Sequence, residues 1–289
     1  MRRDHNRISP TAFNHIIFRT FYGLNLADDF AKAAEKFSPR ENLFDANTLR
    51  KLSFLFEGRY IGGEMALEKF IGKNPDCIVL ELAAGFSLHG VDLAKKYPKI
   101  KYIETDLGPI IRLKEKIISN LGINLSNLLF KKANALDYQE IKNALLGVGK
   151  GSKTAIYCEG LLSYFDDKEK VKIANIIKTM LKKNGGVWIT PDPAMGANTR
   201  QVLKKALPIY RQTMSKAEKL AKQKYDDHGF VSEKKTDKFF NSCGFTVRKY
   251  GWPTKLISWQ TSGYGRKRVI KLGGILKKFG KTWVLTAKK

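Results

Sequence analysis

A chain of 289 residues with 43% hydrophobic content can bury a substantial core, which excludes a disordered chain and fits one elaborated α/β domain or one domain with a cap. No apolar run approaches the roughly 20 residues of a membrane helix, and the basic start, Arg2 and Arg3, precedes no uninterrupted apolar region, so a cytoplasmic location is expected. The formal net charge of +26 raises the local concentration of anionic partners or merely solvates helix faces, and by itself says nothing of fold.

From about Thr11 to Ile71 the apolar residues keep helical spacing, with Phe13, Ile16, Ile17 and Phe21 on one face and Leu49, Leu52, Leu55 and Phe56 on another. Breaks are expected at Ser38-Pro39 and Gly62-Gly63, which gives a helical cap over residues 1–74 made of several short helices. After Asn74-Pro75 the pattern alternates. Strands are predicted near Cys77–Ala83, Lys101–Asp106, Leu128–Asn134, Thr154–Glu159 and Gly186–Asp192, and helices near His89–Lys96, Pro109–Leu121, Tyr138–Leu146 and Asp167–Leu181. That order implies right-handed crossovers and a parallel sheet within a domain over residues 75–289. A long basic helical stretch is expected over Gly196–Lys224, and two further strands near Phe245–Tyr250 and Thr282–Ala287 bring the count to seven. Between them, Trp252–Lys281 carries Pro253 and several glycines and reads as a loop-rich, basic excursion. Cys77, Cys158 and Cys243 are isolated and odd in number, so they read as small core residues of a reducing compartment, with no disulfide framework and no metal site expected.

The first two strands carry the most specific signal. Cys77-Ile-Val-Leu-Glu-Leu-Ala-Ala-Gly85 is a short apolar run that ends in small residues, where the backbone turns and comes close to a ligand. Asp106 closes the next strand about 20 residues on, which suits the diol of a ribose. The Gly-x-Gly-x-x-Gly that cradles a pyrophosphate is absent, so the pair points to S-adenosylmethionine and not to a dinucleotide. Each predicted strand also ends in a polar group: Glu81, Asp106, Asn134 with Asp137, Glu159 and Asp192. In an open parallel sheet these ends line one crevice.

Four segments resemble the leucine carboxyl methyltransferase family, which also holds polyketide O-methyltransferases of the tetracenomycin type. They are Ser9-Pro-Thr-Ala12 with Arg19, Glu81-Leu-Ala-Ala-Gly85, Tyr102-Ile-Glu-Thr-Asp106-Leu with Lys114, and Tyr157-Cys-Glu159-Gly-Leu-Leu-Ser-Tyr164. The resemblance implies a Rossmann-like class I methyltransferase fold, with a mostly parallel seven-stranded sheet, helices on both faces and the helical N-terminal cap. It also implies cofactor-binding roles for Glu81, Ala83 and Gly85 at the methionine part, Asp106 at the ribose, Asn134, Ala135 and Asp137 by the adenine, and Glu159 under the sulfonium. Arg59 matches the arginine that holds the cofactor carboxylate, a task its planar fork suits. The chain departs from the family's pattern at Gly108, where proline is usual, and at Asn134, where an acid is common.

Three functions remain open on these grounds. The first is an S-adenosylmethionine-dependent O-methyltransferase acting on a carboxylate or hydroxyl of a small molecule or peptide. A hydroxyl acceptor would need a base, for which Tyr164, His228 and His89 are the candidates. The second is an RNA methyltransferase, suggested by the lack of any Asp or Glu from Lys238 to Lys289 and by Tyr250, Trp252, Trp259 and Tyr264 among the cations. The third is a non-catalytic protein of the same fold that binds an anionic partner.

Overall fold

A computed structural model describes residues 16–24, 26–36, 45–148, 151–221 and 228–288, so Ser9–Ala12, Phe13, Ser38-Pro39 and the end of the stretch expected to reach Lys224 lie outside the described residues. After a helical segment over 16–20 come α1 (Ala27–Glu35) and α2 (Ala46–Ile71). The alternating part then runs β1 (Ile78–Leu82), α3 (His89–Lys96), β2 (Lys101–Asp106), α4 (Gly108–Asn120), β3 (Leu128–Lys132), α5 (Tyr138–Ala144), β4 (Thr154–Cys158), α6 (Asp167–Asn184) and β5 (Gly186–Thr190). It closes with α7 (Ala197–Ala206), α8 (Pro208–Ala221), α9 (Glu233–Ser242), β6 (Phe245–Gly251), α10 (Arg266–Phe279) and β7 (Lys281–Ala287).

The seven strands form one sheet in the order β3-β2-β1-β4-β5-β7-β6, parallel except that β7 pairs antiparallel with both β5 and β6. The order turns back between β1 and β4, which places the crevice of an open α/β sheet at their carboxyl ends. β1 and β4 are buried at every position, as strands covered on both faces must be. Ile78, Leu80 and Leu82 join Ile103, Ile156 and Trp188 in one core, and Val79 joins Tyr102, Ala155, Tyr157 and Ile189 in the other. Cys158 and Cys243, the latter at the carboxyl end of α9, lie in the first core and Cys77 in the second, so the cysteines are core residues as read. No helix among the described residues is long and apolar enough to cross a membrane.

Three local expectations need correction. Gly62-Gly63 does not break the N-terminal region: α2 runs unbroken for 26 residues, about 39 Å. Both glycines are spent on close approach, since a Cβ at Gly62 would overlap the Trp252 indole and one at Gly63 the Tyr157 hydroxyl. The basic stretch after β5 is two helices, because Pro208 has no N–H to give and holds Leu207 extended at φ −133°, ψ 95°. The Trp252–Lys281 excursion holds a 14-residue helix, α10, in which Leu272 and Leu276 are buried one turn apart and Gly273-Gly274 is tolerated. Its aromatics turn inward. Trp252 is 4% exposed and fills the notch on α2, Trp259 stacks on Phe54 at 5.1 Å, and the Tyr264 hydroxyl is buried.

Candidate functional site

The carboxyl ends of β1 to β4 open into a cleft closed by Arg19 from the helical segment and by Arg59 from α2. The turn after β1 forms its floor. Ala83 sits at φ 53°, a left-handed conformation uncommon for a residue with a Cβ, and Gly85 follows at φ 48°. Asp106 holds that turn in place: its Oδ2 accepts the Gly85 N–H at 2.7 Å and its Oδ1 the Leu107 N–H at 2.7 Å. Thr105 adds a second tie by donating to the Glu81 carbonyl at 2.8 Å. Burial pushes the Asp106 carboxyl up, against the pull of the two N–H groups. Each oxygen accepts one N–H and keeps a lone pair for a ligand hydroxyl.

Glu159, just past β4, is the electrostatic centre of the other wall. Arg59 Nε donates to its Oε1 at 2.9 Å, and the Tyr157 hydroxyl donates to its Oε2 at 2.8 Å. His89 Nε2 lies 3.3 Å from the same Oε2 and 3.2 Å from the Tyr157 hydroxyl, with its ring stacked on Tyr60 at 3.7 Å. Burial alone would raise the Glu159 carboxyl. The Arg59 guanidinium, the His89 contact and Arg19 outweigh it and hold the group well below the usual carboxylate range. Burial and the neighbouring Glu159 raise the Tyr157 phenol, which keeps it a donor. Arg19 donates to the Phe86 carbonyl at 2.5 Å and lies over the Tyr60 ring. Glu81, buried at the end of β1, accepts the Tyr102 hydroxyl at 2.7 Å.

The structure brings Arg59, Glu81, Ala83, Gly85, Asp106, Asn134, Ala135, Glu159 and Tyr164 into this one cleft. It excludes others. Asp137 is exposed and caps α5, its Oδ1 accepting the Glu140 N–H at 3.0 Å, so it does not stand in for an acid beside Asn134. Asp192 also misses the cleft: its carboxylate accepts the N–H groups of Gly160, Leu161 and Leu162 at 2.5 to 2.8 Å and so shapes the loop that carries Tyr164. His228 is not among the lining residues, and His89 is fully buried behind Glu159. Lys114 pairs with Glu104 inside the core, away from the lining. Sequence reasoning assigned no site role to Arg19, Phe86, Ser87, Leu107, Ile110 or Phe165, all of which line the cleft. Most adjoin residues already singled out, whereas Ile110 and Arg19 reach it only through the packing of their helices.

Comparison with known proteins places the fold. No protein-family model matches the chain. An uncharacterised protein of Rickettsia prowazekii (strain Madrid E) is 23% identical over 167 residues, 56% of this chain and 63% of that protein, so the chain matches less than two thirds of its relative's length. Among solved structures, a protein of Thermobifida fusca YX named as a candidate methyltransferase superposes with a TM-score of 0.57 at 11% identity, covering 95% of this chain and 94% of that one. A DUF574 family protein of Streptomyces avermitilis MA-4680 gives 0.57 at 11% identity, covering 95% and 97%. A candidate O-methyltransferase of Nostoc punctiforme PCC 73102 gives 0.50 at 13% identity, covering 95% and 72%. Similarity at this level carries the fold and nothing finer: the chain has the Rossmann-like α/β fold of these methyltransferase-like structures, a mostly parallel seven-stranded sheet with helices on both faces.

Proposed function

We propose that the chain is an S-adenosylmethionine-dependent methyltransferase that methylates an oxygen, on a carboxylate or hydroxyl of a small molecule or peptide. Asp106 is the observation that carries this reading. It ends β2 beside the turn after β1, is fixed by two backbone N–H groups, and keeps acceptor capacity turned to the cleft, as a ribose diol requires.

The donor set fits the rest of the cofactor. Ala83, Gly85 and Ala135 leave room for close approach, and Asn134 offers its amide, since its side-chain oxygen already accepts the Leu136 N–H at 2.9 Å. Arg59 and Arg19 supply guanidinium groups for a carboxylate, and Glu81 and Glu159 supply carboxylates for an ammonium. Bound there, S-adenosylmethionine would supply an electrophilic methyl group on a sulfonium. The protein's own part is to align and dehydrate the acceptor, for which Phe86, Leu161, Tyr164 and Phe165 form the apolar wall. A carboxylate acceptor is already ionised at neutral pH and needs no base, whereas a hydroxyl acceptor would have Tyr164, the one base candidate among the described lining residues. The four matching segments support placement beside the leucine carboxyl methyltransferase family. Burial of Trp252 and half-burial of Trp259 and Tyr264 support this reading over an RNA acceptor, whose bases those rings would have to stack on.

Calorimetric titration with S-adenosylmethionine tests the reading. Binding by the parent chain, weakened by roughly 1 to 3 kcal/mol in Asp106→Ala, is expected. Absence of binding, or equal affinity in the variant, would remove the cofactor from this cleft. Methyl-label transfer to small-molecule, peptide and RNA fractions then identifies the acceptor class.

A further inference from the structure

Helix α10 turns a face of one charge sign to solvent. Leu272 and Leu276 hold it against the core, while Arg266, Lys267, Ile270, Lys271, Lys277 and Lys278 are exposed. At about 100° per residue these positions share one arc of roughly 140°, away from the leucines. With no Asp or Glu from Lys238 to Lys289, nothing in the segment neutralises the stripe. Arg268, to one side, donates to the Ala206 carbonyl at 2.8 Å and seats the start of α10 beside the last turn of α7, where Lys205 is exposed. The helix dipole favours Lys277 and Lys278 in the last turn but not the cations at the other end. Arg266, Lys267 and Arg268 occupy the first turn, where the positive end of the dipole disfavours them and no side chain caps the helix.

The apolar content of the face narrows the partner. Ile270 is 66% exposed among the cations, and Leu256, beside Lys255 earlier in the same excursion, is 60% exposed. Both are aliphatic. Trp252 is buried and Trp259, Tyr264 and Phe279 are half-buried, so the exposed apolar side chains of the segment are aliphatic and not rings on which a base could stack. Cations that hold anionic headgroups around an aliphatic side chain that enters the headgroup layer are the elements of a peripheral membrane contact. We infer that the outer face of α10 docks this protein on an anionic phospholipid surface. The inference stands apart from the methyl-transfer reading.

Co-sedimentation of the full chain with vesicles tests it. Binding is expected to phosphatidylcholine vesicles that contain about 30% phosphatidylglycerol and not to phosphatidylcholine alone. The bound fraction should fall as salt rises from about 0.05 to about 0.3 M. The double variant Lys267→Glu, Lys271→Glu should lose at least about tenfold in partitioning, and Ile270→Ser about threefold. No binding to the anionic vesicles overturns the proposal, as does undiminished binding by the charge-reversed protein or displacement from vesicles by single-stranded RNA. The vesicle and salt measurements use the unaltered chain, so they stand even where a variant folds poorly.

Discussion

Arg59 answers to two demands at once. It lines the cleft, where a guanidinium suits a ligand carboxylate, and it is the buried partner of Glu159. Removing it therefore does more than weaken ligand binding. Arg59→Ala strands a buried carboxylate, and urea unfolding should show a loss of about 3 kcal/mol, the low end for a broken buried pair because Arg19 and His89 also face Glu159. Stability equal to the parent would mean that the pair contributes nothing. The depressed Glu159 carboxyl also fixes a sign with pH. Its folded pKa lies below the unfolded value of about 4.3, so its contribution is complete above that pH and is lost as pH falls through the folded value. Asp106 and Asp192, raised by burial, act in the opposite sense and gain stability on acidification. The difference between parent and Glu159→Gln isolates the first effect: it should shrink as pH falls below about 4.3, and a constant difference would show that Glu159 is not the depressed group. Spacing from the glycine turn marks Asp106 in the sequence, but nothing there tells that Asp137 and Asp192 serve backbone N–H groups outside the cleft. What distinguishes them is which N–H groups they accept, and that is decided by the packing of loops far apart in the chain.

At the scale of elements, glycine misled where it served packing. Strands were legible because short β-branched runs have few alternatives in a chain of this pattern, and β2 falls at its predicted bounds. Two helices were obscured by glycine pairs, and the pairs have different meanings. Gly62 and Gly63 admit Trp252 and Tyr157 to the axis of α2, whereas a Cβ at Gly274 on α10 meets nothing within 4 Å. Alanine is the better helix former by about 1 kcal/mol, so propensity alone predicts stabilisation at all three sites. The structure predicts otherwise: Gly62→Ala and Gly63→Ala should destabilise, by roughly 1 to 3 kcal/mol of overpacking, while Gly274→Ala stabilises by about 0.5 to 1 kcal/mol. Thermal midpoints that rise in all three variants would refute the notch on α2.

For the whole molecule, the charge of +26 is a standing self-repulsion that salt screens. The unfolding midpoint should rise between about 0.05 and about 0.5 M sodium chloride, and a fall would mean that surface ion pairs such as Lys249 with Glu233 and Asp237 outweigh the repulsion. The sheet, its order and the place of the cleft could be read from the alternation of strands and helices, because parallel crossovers leave few arrangements open. The long-range ties could not. Glu57 on α2 accepts the Ser258 N–H with both carboxylate oxygens, at 2.9 and 3.0 Å, across a sequence separation of 201 residues. That tie sets a timetable. At a synthesis rate of about 5–20 residues per second, α2 leaves the ribosome about 10–40 s before Ser258 exists to meet it. During that interval, and until the Trp252–Lys281 excursion is made, the helix that carries Arg59 lacks one of its mates.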